Sequence, residues 1–285
     1  MPTPMFIAEV SSNHARDFKR CVAFIETAAA IGCDAVKFQL FKIDALFAPE
    51  ILSRSPEHRR RREWELPESF IPDIAACCQN HGVAFWCTPF YLEAVDLLAG
   101  HVQALKVASY ELLWTDLLRR CAATGKPVVL STGMADLEEV GRAVAALRDA
   151  GCDDLSLLHC VSGYPAPARQ ANLAAIATLR EAFGCPAGWS DHTVEEGVVH
   201  RAVHRFGASL VEFHLDLDAA GAEYAAGHCW LPRQAEAMIR AVRLGCLADG
   251  DGVKAPVAAE AADRQWRADP VDGLRPLPCV RQLWT

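Results

Sequence analysis

The chain has 285 residues, 52% of them hydrophobic, and a formal net charge of −8. An acidic balance gives no support to nucleic-acid binding. The sequence has no apolar run long enough for a membrane span, and the N-terminus MPTPMFIAEV has no basic region before its apolar stretch, so neither a span nor an export signal is expected. The twelve cysteines fall mostly inside apolar runs of helix or strand length. With no export signal, they read as buried free thiols of a cytoplasmic protein, and the adjacent Cys77–Cys78 pair lacks zinc or redox spacing.

In chain order, eight apolar runs of strand length alternate with helix-period segments: FIAEVS (6–11), AVKFQ (35–39), VAFWCTP (83–89), ALKVAS (104–109), PVVLST (127–132), LSLLHC (155–160), AGWSDH (187–192) and LVEFHLD (210–216). Intervening patterns such as LEEVGRAVAALRDAG and EEGVVHRAVHRFG carry the helical period, and Gly32, Gly82, Gly151 and Gly207 stand where helices stop before the next strand. The alternation predicts an α/β fold, a single-domain (β/α)8 TIM barrel over residues 1–246, closed by a last helix in LPRQAEAMIRAVRLG. Residues 40–66 make a long connection after the second strand. Its basic run Arg59–Arg62 reads either as a solvated face or as a lid or interface loop that attracts an anion. The tail 247–285, rich in Pro, Asp and Gly, is expected to pack on the barrel rather than form a domain.

Barrel active sites lie at the C-terminal ends of the strands. Those ends carry Glu9, then Ser12, Asn13 and His14; Lys37 and Gln39; Thr88; Lys106, Ser109 and Glu111; Ser131 and Thr132; His159, Ser162 and Tyr164; Ser190, Asp191 and His192; and Glu212, His214 and Asp216. Every strand supplies polar groups at the same end, which is more informative than any one residue.

Two constellations stand out. His192 and His214 end consecutive strands, which lie roughly 5 Å apart, so the two imidazoles can share a ligand. With Glu212 two residues before His214 they form a mixed His/carboxylate set that suits a divalent metal, Mn2+ first, with Mg2+, Co2+, Zn2+ or Fe2+ as alternatives. Either histidine alone reads equally as a hydrogen-bonded barrel residue. Lys37 and Lys106 sit amid apolar strand residues, where an unpartnered ammonium is costly. Either they snorkel to the rim or they face an anion. Thr88, Ser109, Ser131 and Ser190 add the hydroxyl donors that a phosphate or phosphorylated carboxylate needs.

The ordered set IAEVSSNH, VKFQ, CTPF, LKVASYE, LSTGM, HCVSGYP and SDHT, over roughly residues 5–216, resembles the sialic acid synthase family, the N-acetylneuraminate and related nonulosonic acid synthases. The resemblance implies a (β/α)8 barrel that condenses phosphoenolpyruvate with an N-acylated amino-sugar aldehyde, uses a divalent metal and releases phosphate. It implies metal ligation by His192 and His214 with Glu212 beside them. Phosphoenolpyruvate contacts fall on Lys37, Thr88, Lys106, Ser109, Ser131 and Ser190, and a catalytic carboxylate on Glu9. Gln39 and Glu111 match substrate-site positions of the family, and Tyr164 a position in its sugar pocket.

Three departures touch the acceptor sugar. Ser162 stands where the family usually has Asn. AAGAEYAAGHCW replaces a Pro-Gly-Pro-Asp type segment, leaving Glu223 as the stand-in for an acidic sugar contact. The family's small C-terminal antifreeze-like domain has no counterpart in this sequence, so the expectation is that the tail and the Arg59–Arg62 loop close the site, that a separate partner protein does, or that the acceptor needs no acyl clamp; a homodimer is the alternative to a monomer. The competing readings are a metal-dependent aldolase, another phosphoenolpyruvate-using 3-deoxy sugar acid synthase, and a non-catalytic barrel that binds a sugar or a partner.

Overall fold

The computed structural model describes residues 3–284. Eight strands, β1 (Met5–Glu9), β2 (Ala35–Leu40), β3 (Ala84–Pro89), β4 (Ala104–Val107), β5 (Val128–Ser131), β6 (Leu155–Cys160), β7 (Ala187–Asp191) and β8 (Leu210–Leu215), pair in parallel in that order, and β1 pairs with β8. The ring is therefore closed, and the fold is the expected (β/α)8 barrel. The runs read from the sequence extend past several of these strands by one or two residues. The overhangs, such as Ala108–Ser109 and His192, are where backbone pairing ends and the polar loops begin.

Eight helices cover the barrel: α1 (Phe18–Ala30), α2 (Ile71–His81), α3 (Leu92–Ala99), α4 (Thr115–Ala122), α5 (Leu137–Asp149), α6 (Ala175–Phe183), α7 (Glu196–His204) and α8 (Pro232–Ala248). Their ends obey local rules. Asp136 caps α5 by accepting from Glu139 N while Glu139 reaches back to Asp136 N, a capping box. Gly82 ends α2 in the left-handed conformation at φ 69°, which costs glycine little.

The strands are buried on both faces. Their outward side chains, among them Phe6, Val36, Phe85, Leu105, Leu130, Leu157, Trp189 and Phe213, pack against the helices in one continuous core. Their inward side chains form a second, smaller cluster of Ile7, Ala35, Trp86, Ala104, Val129, Leu158 and Leu210. In β7 the inward position in this layer is Gly188. A Cβ there would lie 2.3 Å from the Leu210 carbonyl oxygen and 2.8 Å from Leu158 Cδ2, so only glycine fits.

Two features depart from the sequence reading. A ninth, two-residue strand, β9 (Cys229–Trp230), adds to the end of β8 with His214 opposite Cys229. The connection after β2 is largely helical, with short helices at Ile43–Leu46, Pro49–Arg54 and Pro56–Arg60. Three of its arginines contact their own segment: Arg59 donates to the Leu52 carbonyl, Arg61 lies 3.6 Å from Glu57, and Arg62 pairs with Asp44.

The chain divides into two compact units, one ending at Leu247 and one beginning at Ala248. The second is built from short turns and the helix Pro278–Arg281, and it is tied internally by the Arg281–Asp272 ion pair and an Arg281 bond to the Leu274 carbonyl. Among the described residues no helix is long and apolar enough to cross a membrane.

Candidate active site

Strand alternation builds the site. Two residues beyond each side chain of the inner layer comes the next inward position. From Ile7, Ala35, Trp86, Ala104, Val129, Leu158, Gly188 and Leu210 this step reaches Glu9, Lys37, Thr88, Lys106, Ser131, Cys160, Ser190 and Glu212. One further step gives Gln39, His192 and His214. The apolar plug is thus capped, at the C-terminal mouth, by a polar layer to which all eight strands contribute.

The same alternation sends other candidates outward. His159 bonds the Ala171 carbonyl at 2.9 Å, away from the mouth. Asp191 is fully buried on the outer face, where it accepts from Trp189 Nε1, Thr193 Oγ1 and Trp230 Nε1 at 3.0, 2.7 and 2.9 Å. Asp216 lies past the end of β8 and accepts from Arg20 Nη2, Leu217 N and Gly221 N, so it closes a turn rather than joining Glu212 and His214.

At the centre are two lysines and two carboxylates. Lys37 Nζ contacts Glu9 Oε2 directly, lies 3.7 Å from Glu212 Oε2 and donates to Thr88 Oγ1 at 3.3 Å. Lys106 Nζ donates to Ser131 Oγ at 2.6 Å and lies 3.9 Å from Glu212 Oε1, which also accepts from Ser190 Oγ at 3.2 Å. Burial pulls the Lys37 pKa down, but Glu212 and Glu9 outweigh it and the ammonium is held above its ordinary value. For Lys106 burial wins, with Lys37 adding to it, and the pKa is lowered. Glu212 is destabilised as an anion by burial, yet Lys106 and Lys37 pull its pKa below the usual carboxylate range.

Beside Lys106 lies a cradle of small groups. Ser109 Oγ accepts from Gly133 N at 3.0 Å and lies 3.1 Å from Cys160 Sγ. A Cβ at Gly133 would meet Ser162 Oγ at 2.4 Å and both Cys160 Sγ and Ser109 Oγ at 2.9 Å. Ser162 Oγ and Glu111 Oε2 are buried without a hydrogen-bond partner. Such orphans are expensive in a finished core and mark places where a ligand supplies the missing bond. Burial pushes the Glu111 carboxyl up to about 7.

The imidazoles form the third part. His192 Nδ1 lies 2.8 Å from the Val161 carbonyl, and His214 Nδ1 lies 2.8 Å from Glu223 Oε2. Both partners only accept, so Nδ1 donates on each ring and Nε2 is the nitrogen left to face a ligand. Burial pulls the His214 pKa down, but the Glu223 carboxylate outweighs it and raises it. The ring centroids are 5.5 Å apart. Burial, with the His214 charge nearby, lowers the His192 pKa to about 3, so this ring is neutral and able to ligate at pH 7. Glu212 Oε2 is buried beside them without a hydrogen bond. Two imidazole nitrogens and an under-used carboxylate oxygen are the donor types that suit a divalent cation. Tyr164 lies over His192 with centroids 4.2 Å apart and is 43% exposed, so it lines the outer wall.

The sequence reading missed three members. Cys160 is inward only because of the register of β6, and the Gly133 amide only because the loop after β5 places it so. His228, just before β9, stands with its ring 5.0 Å from those of both Tyr164 and His214. The signal available was a polar residue beside the strand-like pair Cys229–Trp230. Glu223 is not free in the sugar pocket: it is bonded to Ser12 and His214.

Fold and site together define a (β/α)8-barrel enzyme with its polar centre at the C-terminal mouth. The chain belongs to the NeuB family, whose model matches residues 24–254. It is 33% identical over 270 residues to the N,N'-diacetyllegionaminic acid synthase of Campylobacter jejuni, covering 89% of this chain and 80% of that protein. It is 30% identical over 257 residues to a pseudaminic acid synthase of Campylobacter jejuni, covering 86% and 75%. Among solved structures, an N-acetylneuraminic acid synthetase from Leptospira borgpetersenii superposes with a TM-score of 0.81 at 28% identity, covering 91% of this chain and 90% of that one.

Proposed function

We propose that the chain joins phosphoenolpyruvate to a sugar aldehyde through a new carbon–carbon bond and releases inorganic phosphate, making a nonulosonic (sialic-acid-like) or related 3-deoxy-2-keto sugar acid. One observation carries the reading. A single barrel mouth holds two buried lysines among hydroxyl donors beside two imidazoles 5.5 Å apart, each with Nδ1 tied down by an acceptor. The family relatives named for legionaminic, pseudaminic and N-acetylneuraminic acid support the same class of product.

Lys37 and Lys106, with Thr88, Ser109, Ser131 and Ser190, hold the phosphate and carboxylate of phosphoenolpyruvate, because ammonium groups and hydroxyls in a dry site give strong charge-assisted bonds. His192, His214 and Glu212 hold a divalent cation, assigned as Mn2+ from the mixed nitrogen and oxygen donors. Bound there, it supplies Lewis acidity toward the aldehyde oxygen. Gln39, Glu111, Ser162 and Tyr164 face the acceptor. The methylene carbon of phosphoenolpyruvate attacks the aldehyde carbon, whose oxygen takes a proton and becomes a hydroxyl. The carbon that carries the phosphate is left positive and adds water. Glu9, in direct contact with Lys37, stabilises that centre and accepts the proton from water. The resulting tetrahedral centre expels phosphate and becomes the ketone.

The twelve free cysteines support a cytoplasmic location. The test is to measure phosphate release by the purified chain with phosphoenolpyruvate, Mn2+ and a panel of hexosamine-derived aldoses. The expected result is release that depends on one class of aldose, stops with EDTA and returns with Mn2+. Turnover unaffected by thorough chelation would contradict the metal assignment, and pyruvate production without phosphate release would contradict the synthase reading.

A further inference from the structure

We propose that Glu223 is a positioning residue: it is the carboxylate that fixes the ring of His214, and Ser12 and His228 hold it there. The proposal rests on the assignment of His214 as a metal ligand.

Glu223 comes from the short helix Ala222–Ala225, and β9 brings the following residues back beside β8, with Cys229 in register with His214. This return places His228 and Glu223 behind the imidazole. Glu223 Oε2 accepts from His214 Nδ1 at 2.8 Å and lies 3.5 Å from His228 Nε2. Glu223 Oε1 accepts from Ser12 Oγ at 2.8 Å and from Ser12 N at 3.3 Å. Both oxygens are committed, so little capacity is left for a sugar hydroxyl.

A carboxylate on Nδ1 does two things for a ligating imidazole. It keeps the proton on Nδ1, so that Nε2 presents its lone pair, and it raises the basicity of that lone pair. His192 achieves the first with a backbone carbonyl, at Val161, which any residue there supplies. His214 depends on a side chain. The two ligands thus differ in how they can be broken by mutation: His214 can be loosened without touching the ring.

The nearby Cys229 gives the competing arrangement. One ligand-type atom from each of His214, Glu223, His228 and Cys229 lies within 4.8 Å of the others, so the same cluster could hold a cation directly. Its hydrogen bonds argue for the positioning role. A 2.8 Å separation between Glu223 Oε2 and His214 Nδ1 is that of a made hydrogen bond, and the Cys229 Sγ, 3.9 Å from Glu223 Oε2, is at most a weak partner.

The experiment is Mn2+ binding without substrates, read from the electron-paramagnetic-resonance signal of the free ion, for wild type, Glu223→Gln and Ser12→Ala. Glu223→Gln keeps the shape and removes the charge, and unfolding curves of the metal-free variants check that they fold. The expected result is a loss of roughly tenfold to a hundredfold in Mn2+ affinity for Glu223→Gln. Ser12→Ala should shift in the same direction by less. At saturating Mn2+ the KM for the sugar should hardly change. An unchanged Mn2+ affinity with a raised sugar KM would overturn the proposal and make Glu223 a sugar contact. An intense thiolate band in the Co2+-loaded protein, lost in Cys229→Ser, would also overturn it, because the cluster would then hold the ion itself. Failure of the wild type to bind Mn2+ would instead strike the metal assignment, and the inference would fall with it.

Discussion

Lys37 and Lys106 are almost equally buried, at 3% and 2% exposure, yet their surroundings differ. Lys37 contacts Glu9 and has Glu212 at 3.7 Å, whereas Lys106 has one carboxylate oxygen at 3.9 Å and a hydroxyl. Lys106 is the under-compensated cation and has the most to gain from an arriving anion. A charge-assisted contact in such a place is worth about 1.5–3 kcal/mol. Lys106→Met should therefore raise the KM for phosphoenolpyruvate by roughly tenfold to a hundredfold and leave the sugar dependence nearly unchanged. An unaltered phosphoenolpyruvate KM would remove the lysine from the anion site.

Glu111 offers a pH test. Its folded pKa is raised from 4.5 to about 7 by burial, so the native state binds the proton more tightly than the unfolded chain. Stability from this group is complete below 4.5 and is lost as pH rises toward and through 7. Glu111→Gln removes that loss, so the variant should gain on the wild type by up to about 3 kcal/mol across this window. Denaturant midpoints of the two proteins against pH should diverge, and parallel curves would show that the carboxyl is not strained. Most of these side chains were legible before the fold, because a lysine or glutamate inside a valine-rich strand is anomalous wherever it points. Cys160 was not, because a cysteine at a strand end is ordinary, and His228 had only the weak signal of a polar residue beside the strand-like pair Cys229–Trp230. Only the pairing of β9 with β8 and the inward register of β6 give them a place in the mouth.

Strand alternation does most of the work at the level of elements. A two-residue period, anchored on the inner plug, sorts Ser190 and His192 to the mouth and Asp191 to the outer shell, where it ties Trp189 to Trp230. Eight strands could be read from the sequence because a barrel strand is buried on both faces and so appears as an uninterrupted apolar run. β9 could not be, because two residues carry no period. The connection after β2 read as a loop because its helices are only four to six residues long, too short for a helical period to register.

The inner layer makes its own prediction. Gly188→Ala drives a Cβ onto the Leu210 carbonyl and Leu158 in the tightest part of the barrel. The cost should be at least about 1–3 kcal/mol, the usual range for overpacking, seen as a lower denaturation midpoint. Gly133→Ala fills the cradle against Ser162, Cys160 and Ser109 instead, at the mouth, and should lower activity far more than stability. If both substitutions cost stability alone, the cradle is packing rather than a binding site.

For the whole molecule the open choice is the acceptor. The residues proposed for phosphoenolpyruvate and the cation form one layer, while the departures from the family pattern, Ser162 and the AAGAEYAAGHCW segment, fall among those proposed for the sugar. The chain alone should therefore be active, on an aldose other than N-acetylmannosamine or its 6-phosphate. The check is turnover with N-acetylmannosamine beside other aldoses. A specificity constant for N-acetylmannosamine near the ~10⁴ M⁻¹s⁻¹ floor of ordinary enzymes would refute this.

The central claim is that phosphate leaves from the carbon that has just added water, after the carbon–carbon bond has formed. It is tested by supplying phosphoenolpyruvate labelled with heavy oxygen in the bridge between carbon and phosphorus, together with Mn2+ and the accepted aldose. The account predicts that the label appears in the released phosphate, in an amount equal to the sugar acid formed and only when the aldose is present. Label retained in the organic product, or phosphate released at the same rate without any aldose, would contradict it.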